Sequence, residues 1–156
     1  MFRLLWVATI LGNVGTFVRD VASAWLATDL GGGAVAVAAV QAAATLPICL
    51  LAIPAGVLSD TLDRRRLLMA VQLFLAVVTL ALLGLAWHQD LGLVSLVALS
   101  FLGGAGAALM APAWQAIVPE LVGRPLLREA VALNSLALNV SRSIGPALGG
   151  LLVAVA

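Results

Sequence analysis

The chain has 156 residues, 63% of them hydrophobic and 10% charged, and a formal net charge of +1. Its mean hydropathy is +1.18. Soluble domains carry about 25% charged and about 45–50% apolar residues, so this composition excludes an ordinary water-soluble domain and describes a polytopic membrane protein. The near-balanced charge also leaves no basic face for nucleic acid.

Apolar runs long enough for a bilayer need about 20 residues. Five recur, and with backbone groups needing internal partners in lipid each is read as an α-helix. The expected fold is an all-α, polytopic membrane helix bundle of about five transmembrane helices. The first span covers about 4–28. Its start, MFRLLWVATIL, with Ala22-Ser23-Ala24 further on, has the outline of a signal peptide. Polar and charged residues intervene before that site, so the span is expected to be retained. At about 100° per residue, Thr9, Asn13, Thr16, Asp20 and Ser23 fall within about a quarter of the helix circumference, with Arg19 at its edge. The Thr, Ser and Asn positions alone fit polar contacts along a helix seam. Asp20 asks for more. A charge near the bilayer centre costs from about 2.5 kcal/mol upward, so it should face the bundle or a water-filled cavity.

After the break TDLGGG comes a second span, about 35–58, carrying Pro47, Cys49 and Pro54. SDTLDRRR leads to a third, about 65–87, with only Gln72 and Thr79 as polar interior residues, as expected of a peripheral, lipid-facing helix. WHQD leads to a fourth, about 91–118, with Gly103, Gly104, Gly106 and Pro112, and PELVGRPLLRE to a fifth, about 131–156. The fifth puts Ser135, Asn139, Arg142, Ser143, Pro146, Gly149 and Gly150 on one side. Arg142 and Asp20 both lie at depth, and an Asp20–Arg142 pair would relieve both charges. Arg19 competes for Asp20, although neighbouring helical residues diverge by about 100°. The glycines read as points of close helix approach and the prolines as local bends.

The arginines orient the chain. Arg3 precedes span 1, Arg64, Arg65 and Arg66 lie between spans 2 and 3, and Arg124 and Arg128 between spans 4 and 5. The opposite breaks hold Asp29, His88 and Asp90 but no Arg. The positive-inside rule makes the N-terminus and the Arg-bearing loops cytoplasmic. One Cys and one His support neither a disulfide nor a metal site, and no H-E-x-x-H or G-x-S-x-G occurs. No enzyme activity, metal or cofactor is expected. LGNVG at Leu11 and LGGAG at Leu102, with Pro-Ala pairs at Pro54 and Pro146, suggest an inverted repeat pairing span 1 with span 4 and span 2 with span 5.

In GVLSDTLDRRR, the residues Gly56, Leu58, Asp60, Arg64 and Arg65 resemble the loop between the second and third helices of major facilitator superfamily transporters. That pattern runs Gly-x-Leu-Ala-Asp-basic-x-Gly-basic-basic. Here Ser59, Thr61 and Asp63 depart from it. In SRSIGPALGG, the residues Gly145, Pro146, Gly149 and Gly150 resemble the exporter-type signature of the fifth helix, with Ser141 where its leading Gly stands. The run from Pro112 to Gly150, with GTFVRDVASAWLATDL and DRRRLL, is similar to the enterobactin-exporter and macrolide-efflux-like branch.

The resemblance implies a proton-coupled exporter of small, drug-like or siderophore-like molecules that works by alternating access in the bacterial cytoplasmic (inner) membrane. It implies twelve helices, so residues 1–156 correspond to part of an N-terminal six-helix domain and the partner half is missing. It also implies that Asp60, Arg64 and Arg65 latch the two halves at the cytoplasmic side, with Gly56 allowing close contact. A fourth-helix Arg common in other branches is absent from LSFLGGAGAALMAPAW. The expected cavity and coupling residues are Asp20, Arg142, Asn13, Thr16 and Asn139, and the expected partners are lipid, the second half, a small-molecule substrate and protons. A non-transporting membrane scaffold, or an importer of the same superfamily, are the alternatives.

Overall fold

The computed structural model describes residues 2–155, apart from the side chains of residues 2–5, Glu120 and Arg124. Two arginines used above for orientation, Arg3 and Arg124, therefore have side chains outside the described residues. The described chain is all-helical: α1 (Phe2–Asp29), α2 (Gly33–Thr61), α3 (Arg64–Trp87), α4 (Leu93–Val122) and α5 (Leu127–Val155), with a 3₁₀ turn at Arg124–Leu126 before α5. Each helix extends past the apolar run that announces it. The reason is that a helix end in the interfacial region tolerates Asp29, Asp60 and Arg64, which an apolar window excludes.

Four helices, α2 to α5, are long and apolar enough to cross a membrane. α1, whose described side chains begin at Trp6, is not among the four. Among the described residues, five helices stand where five spans are expected, and four of them are long and apolar enough to cross a membrane.

The described residues form two compact units, one taking residues up to Leu26 together with those from Val118 onward, the other Ala27–Ile117. In the second unit α2 buries Ala36, Val40, Ala43, Pro47, Ala55 and Ser59, a stripe dominated by small residues. On α4 a Cβ added at Gly104 would run into the backbone carbonyl of Ala44 in α2. A Cβ at Gly106 would lie 2.5 Å from Leu75 Cδ2 of α3. Close approach through small residues replaces the hydrophobic driving force that lipid cannot supply. The repeat reading would give Gly12 and Gly15 of α1 a similar role, yet a Cβ at either would meet nothing within 4 Å. On α3 only Val71 and Val78 are buried, while Gln72 and Thr79 are exposed. The Thr79 hydroxyl donates to the Leu75 carbonyl of its own helix, at 2.9 Å.

At the α2–α3 break, Asp63 is the N-cap of α3, its Oδ1 accepting from the Arg66 amide at 2.8 Å. This accounts for Asp63 standing where the family pattern has Gly. We expect Asp63→Ala to cost about 1 kcal/mol, read as a lower unfolding midpoint of the purified protein in detergent.

Candidate functional site

The first unit holds α1 against α5, and small residues set the distance. On α5 the buried positions are Ala130, Ala137, Ser141, Gly145 and Gly149. A Cβ at Gly145 would lie 2.5 Å from Phe17 Cβ and 3.3 Å from the Val14 carbonyl oxygen. One at Gly149 would lie 3.0 Å from Val21 Cβ and 3.3 Å from Val18 Cα. Ser141 is fully buried, its Oγ lying 2.8 Å from the Ala137 carbonyl and 3.3 Å from the Ile10 carbonyl across the seam. A Ser in place of the signature's leading Gly keeps the small volume and adds a polar tie. Trp6 Nε1 donates to the Leu133 carbonyl at 2.9 Å nearer the start of both helices. Sequence reasoning did not single out Trp6, and its position at the start of an apolar run was the available signal.

These contacts rise together along both helices, from Trp6–Leu133 through Ile10–Ser141 and Phe17–Gly145 to Val21–Gly149. The helices therefore run parallel in a fixed register. That register separates two residues the sequence had paired. Arg142 is level with about Asn13, whereas Asp20 is level with about Gly149, on the order of 10 Å further along the axis. Accordingly Asp20 Oδ1 takes Arg19 Nη2 at 3.1 Å, and among the described residues no ion pair joins Asp20 to Arg142. The divergence of neighbouring side chains did not prevent the Arg19–Asp20 contact, because an Arg stem is long enough to fold back along the helix surface.

Ser141 apart, the polar residues that the sequence assigns to a cavity lie outside the seam. On α5, Ser135, Asn139, Arg142, Ser143 and Pro146 are exposed, about 120° round the helix from the buried stripe. On α1, Asn13, Thr16 and Asp20 lie a similar angle from Val14, Phe17 and Val21, in the opposite rotational sense. For two parallel helices opposite rotations lead to the same side. The polar faces of α1 and α5 therefore flank one side of the pair, and Asn13 and Arg142 share one level on it. A third face of α5, with Leu136, Val140, Ile144 and Leu151, is exposed and apolar.

The hydroxyls on these faces are partly engaged, Thr16 with the Gly12 carbonyl at 3.0 Å and Ser143 with the Asn139 carbonyl at 3.1 Å. Pro146 sits inside α5 and lacks the N–H that would bond the Arg142 carbonyl. Of the four signature residues in α5, Gly145 and Gly149 form the seam. Pro146 and Gly150 are exposed, and a Cβ at Gly150 would meet nothing within 4 Å. The side that sequence spacing assigned to Gly149 thus divides between seam and open face.

The loop residues belong to the second unit. Arg64 is half-buried, its Nη1 donating to the Ala116 carbonyl near the end of α4 at 3.4 Å. Asp60 and Arg65 are exposed. Gly56 is half-buried, and a Cβ there would meet nothing within 4 Å.

A family model described as transmembrane secretion effector matches residues 1–156. The chain belongs to the major facilitator superfamily. It is 31% identical over 157 residues to the multidrug efflux pump Tap of Mycolicibacterium fortuitum, covering 97% of this chain and 38% of that protein. Against the staphyloferrin A transporter of Staphylococcus aureus it is 29% identical over 156 residues, covering 99% and 39%. The macrolide efflux protein A of Streptococcus pyogenes is 23% identical over 154 residues, covering 99% and 38%. This major facilitator chain thus spans about two fifths of the length of the curated relatives it matches. No solved structure matches it at a significant level. Membership agrees with the four apolar helices, and the protein is a multi-pass membrane protein.

Proposed function

We propose that residues 1–156 make up the larger part of the N-terminal six-helix domain of a proton-coupled exporter, which moves small molecules outward by alternating access. The observation that carries this reading is the placement of the polar faces of α1 and α5 on one side of a shared seam. Such a surface suits the wall of an aqueous path, while the apolar third face of α5 suits lipid. In this reading α1 also crosses the membrane, which makes five spans. Its 28 residues reach about 42 Å, enough for a hydrocarbon core of about 30 Å, and its charges lie toward the path. Names of relatives that state efflux, the Tap pump and the macrolide protein, support the direction of transport.

The remaining partners follow from the reading: the lipid bilayer, the C-terminal half that completes the path, the substrate and protons. Asp60 and Arg65, exposed beside Arg64, would meet that half at the cytoplasmic side. The arginine distribution favours a cytoplasmic N-terminus in the bacterial inner membrane. The protein acts as a transporter and not as an enzyme.

The test expresses the intact protein in a bacterial strain stripped of its main drug pumps and follows accumulation of ethidium and of a macrolide. We expect severalfold lower accumulation of at least one of them, with a protonophore abolishing the difference. Unchanged accumulation, with the protein present in the membrane and held in stable complexes, would favour the scaffold instead.

A further inference from the structure

A cation at the middle of a membrane helix needs an anion or water, and the structure shows which anion Arg142 does not have. Arg142 stands at the midpoint of α5 (Leu127–Val155), exposed on its polar face. Asp20, the nearest acidic residue in the polar face of α1, is taken by Arg19 and lies on the order of 10 Å further along the axis. Among the described residues Arg142 makes no ion pair or hydrogen bond through its side chain, and neither do the amides of Asn13 and Asn139. Asn139 lies about one turn before Arg142 on the same face, and Asn13 lies level with it across the seam. The Arg19–Asp20 pair is neutral overall, and the other cation on the polar face of α5, Arg128, stands at the start of the helix, so at the middle of the helix pair Arg142 is the one cation without an acidic partner among the described residues. Around it stand amide donors and the Arg142 carbonyl, whose helical donor Pro146 removes.

Resting on the exporter reading, we infer that Arg142, with Asn13 and Asn139, recognises an oxyanion of the transported molecule, and that the preferred substrates are organic carboxylates. The guanidinium offers a planar fork matched to a carboxylate. The amides can donate to its remaining lone pairs. The freed carbonyl accepts from a hydroxyl or N–H next to the carboxylate. A charged group at this depth is tolerated because it faces the path, and it is satisfied when the substrate enters.

The experiment uses the intact transporter in cells and two fluorescent probes, anionic carboxyfluorescein and cationic ethidium, with the variants Arg142→Gln and Arg142→Lys. In Arg142→Gln, carboxyfluorescein efflux is expected to fall about tenfold or more. Arg142→Lys, which keeps the charge but not the fork, should fall less. The amount of each variant in the membrane, read by immunoblot, should match wild type, which shows that the variants fold, and ethidium efflux should fall less than carboxyfluorescein efflux in both. A parallel loss of both dyes would mean that Arg142 pairs with a carboxylate elsewhere in the transporter, and would overturn the inference. So would unchanged efflux of both, or a wild type that exports ethidium but not carboxyfluorescein. Export of neither dye by the wild type would instead count against the exporter reading, and the inference would fall with it.

Discussion

Gly145→Val is expected to unfold the α1–α5 seam. Its Cβ would lie 2.5 Å from Phe17 Cβ, and the Val14 carbonyl at 3.3 Å blocks retreat in the other direction. Both obstacles are close to the backbone, so relief requires one helix to move. Overpacking of this kind typically costs about 1–3 kcal/mol. The same shift would pull Ser141 Oγ away from the Ile10 carbonyl. At Gly149 the nearest atom is 3.0 Å from the added Cβ, and at Gly150 none lies within 4 Å. Unfolding midpoints in detergent for the three Gly→Ala variants should fall most at Gly145, less at Gly149, and not at all at Gly150, where Ala's better helix propensity even helps. Equal loss at Gly149 and Gly150 would refute the seam assignment.

If the proposed exporter couples to protons through Asp20, Asp20→Asn abolishes efflux, and in either case it is expected to lower the amount of folded protein. Two effects are combined, and they can be separated. Removing the carboxylate strips Arg19 of its partner at 3.1 Å, and a lone charge within a membrane helix costs from about 2.5 kcal/mol upward. Replacing both residues, Arg19→Gln with Asp20→Asn, removes that cost. The double variant should therefore recover the folded amount of wild type. Efflux should stay lost if Asp20 carries the proton. Efflux restored by the double variant would make the pair structural only.

The spans were legible in the sequence because lipid imposes a length of about 20 apolar residues and forces helix. What escaped was register. Arg142 and Asp20 each look mid-membrane when counted along their own spans. Only the packing of Gly145 on Phe17 and of Gly149 on Val21 shows that they are not level. The same packing separates Gly149 from Gly150, adjacent residues of one motif with opposite roles. Spacing alone could not do this, since a buried small-residue face and an open polar face both tolerate glycine. The hydroxyl of Ser141 was hidden for a related reason: its value depends on a carbonyl 131 residues away. Asp63, by contrast, was readable as a residue that begins a helix. Its departure from the loop pattern drew attention away from that role.

The most direct test asks whether the polar faces of α1 and α5 border water in the membrane. Cys49, the single cysteine of residues 1–156, is first replaced by Ala in the intact protein, together with every cysteine the rest of that protein carries. Single cysteines are then placed at Asn13, Thr16, Asn139 and Ser143 on the polar side, and at Leu136, Val140 and Ile144 on the apolar face. Labelling by a charged, water-soluble methanethiosulfonate reagent is followed in membranes. Rapid modification is expected at the first four positions and little at the last three. Equal labelling of both sets, or labelling confined to the apolar face, would contradict it.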